Sequence, residues 1–409
     1  MAINLIRNSR VFFTTNVNAT SGVINTSGFT VNNTCEIQVL DGFSFSQATN
    51  ADTITLNEAG ATPNRGQRSF NTSLAPVEFS FSTYIRPTKR WGTGSTVGAE
   101  ERFLWNALVS NAGTASYEGS SAAPDGGAWV EATTGATLDM SKSQAHQLIK
   151  FGLIIQADGT TYMIDDCCMN QASIDFGIDA IAMVAWSGMG KYLRRLSTAI
   201  TLTDVAGYTG SFSAESPHVG FSVGYTGSAL AKDTNAQFIA NKLSTAYVGS
   251  GLDYAYIGSG TWAVPVTGGN ITISNNITYL TPAILGVVNE PVTYFTGTRS
   301  VTGTLTAYLK SGTAMDSSTA GDTGDLMTDI LSRKSQPDNK YTIQVDLGGI
   351  SNALNATFKA PAAVLQVPTV KSEAVMGVDI NFTAQGFDDS TQDFNIEGVN
   401  EFELTYRAP

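Results

Sequence analysis

The sequence predicts a mainly β fold, arranged as two tandem β-sandwich or partly closed barrel domains, each with one flanking α-helix. Three observations carry that prediction: the composition, short runs that alternate at period two, and the return of those runs in the second half of the chain. Charged residues are only 14% and hydrophobic ones 42% of 409 residues, so the surface is built largely from Ser, Thr, Asn, Gln and Gly. That mixture suits short strands and turns rather than helical bundles. Glycine (40) and proline (12) stay well below a collagen-like or disordered bias, so a folded chain is expected.

The elements repeat in order. Residues 5–13 resemble 238–247, with Asn8 opposite Asn241. Residues 43–46 (Phe-Ser-Phe-Ser) match 271–274 (Ile-Thr-Ile-Ser) at an offset of 228. Both alternate apolar and hydroxyl side chains, the signature of a half-buried strand. Residues 80–85 match 304–309 at an offset of 224, which sets Tyr84 opposite Tyr308. Residues 101–109 and 325–331 each follow an acidic start with apolar residues at helical spacing, predicting one short amphipathic helix per half. Their leading acids suit the positive end of the helix dipole. Residues 176–188 match 374–386 at an offset of 198, and both end on a strand-breaking glycine. Alternation alone makes any two strands look alike, but it does not place a helix at the same ordinal position twice. The chain is therefore divided into residues 1–191, a connector at 192–236 and residues 237–409. The connector is rich in Ser, Gly and Thr yet carries Leu193, Leu196, Ile200 and Phe221, which predicts one or two strands of its own.

Several classes are excluded. The first ten residues, with Arg7 and Arg10 and no apolar stretch behind them, read as neither a signal nor a transit peptide, so the mature chain is expected to start near residue 1. No window approaches the length of a membrane-spanning apolar run. Three cysteines, Cys35, Cys167 and Cys168, are an odd set with two adjacent members, which argues against a disulfide scaffold and for synthesis in a cytosol. The Asn-x-Ser/Thr triplets at Asn25, Asn270 and Asn381 are what an Asn- and Thr-rich chain contains by chance. A net charge of −12 disfavours a surface that grips phosphates.

Catalytic constellations are also missing from the sequence. The two histidines, His146 and His218, read as a strand-end and a loop residue. Cys167 and Cys168 beside Asp165 and Asp166 would point to opposite strand faces, so buried thiols are expected rather than a metal site. Gly258-Ser-Gly260 lacks the later glycine and helix of a dinucleotide site and reads as a turn. The pairs Asp388-Asp389 and Glu100-Glu101 read as loop or cap positions. The chain is read as a non-enzyme with no cofactor and no metal.

The repeated blocks carry a resemblance. Residues 36–46, the loop running to Arg65-Gly-Gln-Arg-Ser69, and residues 76–87 resemble the tail tube proteins of tailed bacteriophages, as do 297–309 with 376–386. The resemblance covers most of both halves and rests on strand pattern and element order. It implies tail-tube-type domains whose inner strands join around a channel in rings of six, so that a chain with two such domains forms trimeric rings of pseudo-sixfold symmetry, stacked into a tube for genome passage. Strand edges that invite aggregation in a monomer would then be the pairing surfaces of a closed ring. If part of the net −12 lines the channel, DNA is repelled by the wall and slides as non-adhering cargo. The long connections at 47–67 and 275–298 are expected to reach the next ring, through Asp52, Glu58, Arg65, Glu290, Tyr294 and Arg299. The partners implied are further copies of the chain and other tail proteins: tail tip or baseplate, terminator, tape measure and, in a contractile tail, a sheath. The location implied is the virion tail, with no membrane. The competing reading is a non-enzymatic β-rich surface, receptor-binding or decoration protein. Its expected cluster of surface aromatics is weakened by the scatter of Trp91, Trp105, Trp129, Trp186 and Trp262.

Overall fold

The computed structural model describes residues 9–25, 28–29, 33–54, 68–89, 97–99, 101–109, 129–132, 134–138, 148–157, 160–196, 200–205, 208–212, 238–250, 261–312, 321–335, 340–349, 354–372, 374–386 and 401–408. The first half runs β1 (Ser9–Thr14), β2 (Thr34–Ile37), β3 (Ser44–Ile54), β4 (Arg68–Tyr84), β5 (Pro87–Lys89), β6 (Val97–Ala99), α1 (Arg102–Val109), β7 (Trp129–Glu131), β8 (Ala136–Leu138), β9 (Phe151–Ala157), β10 (Thr160–Gly177), β11 (Met183–Gly190) and β12 (Tyr192–Arg195). A hairpin, β13 (Ile200–Val205) and β14 (Tyr208–Phe212), follows inside the predicted connector. The second half runs β15 (Thr245–Ser250), β16 (Thr261–Val264), β17 (Val266–Ser274), β18 (Thr278–Leu280), β19 (Thr293–Phe295), β20 (Ser300–Tyr308), α2 (Thr323–Arg333), β21 (Tyr341–Leu347), β22 (Asn355–Leu365), β23 (Thr369–Lys371), β24 (Gly377–Gln385) and β25 (Glu403–Arg407). Strands dominate, as composition and periodicity predicted. Among the described residues no helix is long and apolar enough to cross a membrane.

The pairing pattern runs twice. In the first half β1 pairs with β2 and β9, β9 with β10, β10 with β12 and β11, β11 with β4, and β4 with β3, all antiparallel. In the second half β15 pairs with β16 and β21, β21 with β22, β22 with β25 and β24, β24 with β20, and β20 with β17, again all antiparallel. The helices sit at the same point in each series, after β4 and after β20.

The register corrects two of the sequence offsets. With Tyr84 matched to Tyr308, Ser44 faces Ser80 while Asn270 faces Thr304, so β3 matches β17 at 226 (44 to 270) rather than 228. Met183 faces Tyr84 while Gly377 faces Tyr308, so β11 matches β24 at 194 (183 to 377) rather than 198. Both errors are even numbers, because a slip of two residues leaves every side chain on its own face and the alternation cannot detect it. Asn8, the anchor of the first block, lies outside the described residues.

The two halves share one sheet and one core. β10 pairs with β17 from Gln171 opposite Ser274 to Gly177 opposite Gly268, so a continuous layer reads β3-β4-β11-β10-β17-β20-β24, with β22 and then β23 on its far side. A second junction pairs β8 with β25. β10 leaves the β9 layer for this long sheet at an irregularity between Ile164 and Cys167, the usual device for a strand that serves two sheets. A single apolar cluster runs through both halves and takes in Phe79, Phe151, Trp186, Ile271, Leu305 and Phe358.

One helix differs from the amphipathic pair expected. α1 is buried on all sides, Arg102 and Asn106 included, since Trp105 stacks edge-on to Trp186 at 4.7 Å and donates from Nε1 to Tyr406 Oη on β25 at 3.0 Å. Asn275, from the second half, donates to the Leu108 carbonyl at 2.7 Å and so satisfies a helix-end acceptor. α2 keeps one face on the core through Leu326 and Ile330, and Asp322 caps it by accepting from the Gly324 and Asp325 amides.

Three glycines on the buried face each lie directly opposite a phenylalanine: Gly188 with Phe79, Gly269 with Phe176 and Gly303 with Phe382. A Cβ on any of them would stand 2.3–2.7 Å from the ring edge. The ring lies over the bare backbone, which is why the strand tolerates glycine at these points. One of the three pairs spans the junction between the halves.

Candidate functional site: a polar sheet face between two open edges

Among the described residues no group of His, Cys, Asp and Glu side chains is placed to hold a metal ion; the organised feature is the other face of the long sheet. Alternation sends Glu78, Ser80 and Ser82 of β4, Ser173 and Asp175 of β10, Asn270 and Thr272 of β17, Thr302, Thr304 and Thr306 of β20, and Asp379, Asn381 and Thr383 of β24 to the partly or fully exposed side. Cross-strand bonds knit this face together. Ser44 Oγ meets Ser80 Oγ at 2.8 Å, Ser173 Oγ meets Thr272 Oγ1 across the junction at 3.2 Å, and the Thr304 and Thr306 hydroxyls donate to Asn381 and Asp379 at 2.7 and 2.9 Å. The acids on this face include Glu78, Asp175 and Asp379, and Lys371 of the neighbouring β23 is bound to Asp379 at 2.7 Å. Burial opposes ionisation of Asp379, but the Lys371 and Thr306 bonds outweigh it and hold the carboxyl below its ordinary value. The face is hydroxyl-rich, weakly acidic and offers no cationic patch for phosphate.

Both lateral edges of this sheet end in short or unpaired strands. Among the described residues β3 pairs only with β4, and beyond β24 lie the end of β22 and the three-residue β23. At one end of the strands β3 and β4 continue as an exposed two-stranded arm carrying Ile54 and Phe70. Beside it the 275–298 connection folds into the β18–β19 hairpin, whose connection exposes Ile284, Leu285, Val287 and Val288, with Leu285 fully exposed. The arm and this connection touch: Leu74 N donates to Asn289 O at 2.8 Å, and Asn289 N donates to Thr72 O at 3.1 Å. The opposite end of the strands exposes Ile178, Ile181, Tyr308, Val370, Val375 and Met376.

The predicted contact residues fall into three groups. Asp52 stands exposed on the arm opposite Phe70, and Glu290 is exposed and accepts from Tyr192 Oη at 2.7 Å. Tyr294 and Arg299 are turned to their own chain. The Tyr294 hydroxyl donates to Leu148 O at 2.9 Å and accepts from Leu148 N at 3.1 Å, and Arg299 Nε donates to Glu401 at 2.6 Å. Glu58 and Arg65 lie outside the described residues, as do His146, His218, residues 258–260, Asp388 and Asp389.

Cys167 and Cys168 sit in different apolar clusters, one on each face of β10. Burial pushes the Cys168 thiol up to about 12, so it stays protonated. Beside them Asp165 is held by Arg194 and the Ile24 amide, and Asp166 by Lys150 at 3.1 Å. Trp105, Trp186 and Trp262 are buried with their N–H groups bonded to Tyr406, Thr83 and Asp325, so they present no aromatic surface.

Known proteins supply the deciding observation. No family model matches the chain. It is 32% identical over 388 residues, 94% of this chain and 73% of the relative, to tail tube protein pb6 of Escherichia phage T5. This chain belongs to the phage tail tube proteins. Among solved structures, a chain of the anti-feeding prophage (AFP) baseplate, determined by cryo-electron microscopy with sixfold symmetry applied, aligns over 34% of this chain and 86% of its own length. It is 9% identical with a TM-score of 0.24, too low to bear on the architecture.

In this tail tube protein the 275–298 connection carries, beside Glu290 and Tyr294, the aliphatic run Ile284-Leu-Gly-Val-Val288, whose four aliphatic side chains are exposed.

Proposed function

We propose that three copies of this chain close a ring around an axial channel lined by the polar sheet face, and that stacked rings form the tube through which the phage genome passes. The role is structural, with further copies of the chain as the main partner and other tail proteins at the two tube ends. One observation supports this reading above the others: the order of four strands, β3-β4-β11-β10, recurs as β17-β20-β24-β22, and the fourth strand of the first set pairs with the first strand of the second inside one chain. The same junction repeated between chains joins the β22–β23 edge of one copy to β3 of the next and removes both edges.

The bore favours three copies. With strands spaced about 4.8 Å apart and tilted about 40°, three chains of eight strands give a circumference of roughly 150 Å and a backbone diameter of roughly 48 Å. Side chains leave roughly 35–40 Å of that, wide enough for a duplex. Two chains would give about 16 strands, the size of a porin. The acids Glu78 and Asp175 then face the genome, and hydroxyls already engaged with one another offer phosphates little, so DNA slides.

The internal junction sets Ser173 opposite Thr272. Thr272 corresponds to Ser46 at offset 226 (46 to 272), and Ser173 corresponds to Thr369, because Ala185 faces the former and its match Asp379 faces the latter. The double variant Ser46→Cys with Thr369→Cys, oxidised in assembled tubes, is expected to give covalent trimers on a denaturing gel, against a quiet background because the three native cysteines are buried. Chains that build tubes yet stay uncrosslinked reject this junction, and a closed hexamer rejects the threefold ring. End-on electron-microscope averages of the purified full chain test the tube itself; persistent compact monomers with no lumen sink it.

A further inference from the structure

We infer that the two ends of the sheet are complementary apolar docking surfaces for a second copy of this chain, so that rings are held in the stack by apolar burial rather than by charge. The inference rests on the tube reading and names what joins one ring to the next. Exposed aliphatic residues concentrate where the strands stop. At the arm end they are Leu285, Val287 and Val288 with Ile284 beside them, and at the opposite end Val375, Met376, Tyr308 and Val370. Leu285 is 100% exposed and Val375 60%, in a chain whose remaining polar surface is dense with hydroxyls. Contiguous apolar surface of this kind marks an interaction site.

The occupant follows from the arrangement. Two apolar patches at opposite ends of the same strands cannot cover each other within one copy, but the arm end of one copy and the far end of the next can, and such a heterologous contact repeats without closing. Charge is scarce in the 281–292 connection, where the one ionisable residue is Glu290, already accepting from Tyr192, while the arm adds one acid and one base, Asp52 and Arg68. The arm and the 281–292 connection are joined by backbone bonds from Leu74 N to Asn289 O and from Asn289 N to Thr72 O, so the two stand side by side at this end of the sheet.

The test uses the full chain and reads ring and tube populations by sedimentation and negative-stain microscopy. Raising salt from about 0.1 M to about 1 M shortens the screening length from about 10 Å to about 3 Å, and tubes are expected to persist or lengthen, and to shorten on cooling. Leu285→Asp and Met376→Asp are each expected to leave rings intact and to cut stacking by about tenfold or more, since an unpaired carboxylate is costly in an apolar contact. Preformed rings of the two variants retain one good surface each, so mixing them is expected to give ring pairs that do not extend. Glu290→Gln and Asp52→Asn are expected to stack as the parent does. Rings that stack in low salt, fall apart in high salt and ignore Leu285→Asp overturn this inference and leave the tube standing. A parent chain that forms no rings under any condition overturns both.

Discussion

The two halves share their strand pairings and part company at the arm end. In the first half β3 and β4 run on past the sheet as a bulged two-stranded arm. In the second half β17 and β20 stop at Ser274 and Ser300, and the intervening chain folds back as the β18–β19 hairpin, clamped to the first half by Tyr279 and Tyr294. A duplicated sheet is constrained by every cross-strand neighbour, whereas a connection is constrained only at its two ends, so divergence collects in the connections. The helices show the same contrast: α1 is buried on all sides and tied to the second half by the Trp105–Tyr406 and Asn275–Leu108 bonds, and α2 is held by a cap and one apolar face.

The largest effects are expected where packing does the holding. Trp105→Ala removes a fully buried ring and the bond to Tyr406, and should cost about 3–5 kcal/mol in urea unfolding. Gly269→Val drives a side chain into the Phe176 ring and the Thr304 carbonyl at the junction, with an expected loss of about 3 kcal/mol or more. A variant as stable as the parent would show that the ring over the glycine does not hold the halves together.

A middle-sized effect concerns Glu36 on β2, which has no acidic counterpart on β16. Burial pushes its carboxyl up to about 6, with Arg10 at 3.6 Å partly opposing. A raised acid stabilises the fold fully below its ordinary value of 4.5 and loses that contribution as pH rises through about 6. Stability measured across this window should fall by about 1–2 kcal/mol more in the parent than in Glu36→Gln. Parallel pH profiles for the two proteins would remove Glu36 as the cause. The smallest effect is at the cap: Asp322→Ala should cost about 1 kcal/mol, a fraction of what Trp105→Ala costs on the other helix. Equal losses at the two helices would erase the contrast drawn between them.

Much of this architecture was legible because it repeats. The same antiparallel pairings recur in each half, and the helix in each half was visible from apolar spacing behind an acid. Register was not legible, since an even slip costs the pattern nothing. The junction was also hidden, because residues 171–177 and 268–274 lie far apart in sequence and neither strand carries a mark that names its partner. Charge drew attention to Arg299 and Tyr294, but a long polar side chain can equally turn back to a carboxylate or carbonyl of its own chain, as both do.

The arm has one more consequence. It belongs to one half only, so around the proposed ring of three chains arm and hairpin would alternate and key the rim like a gear with three teeth. A neighbouring ring would then seat in three orientations rather than six, and a twist applied at one end of the tube would pass from ring to ring without slipping by half a step.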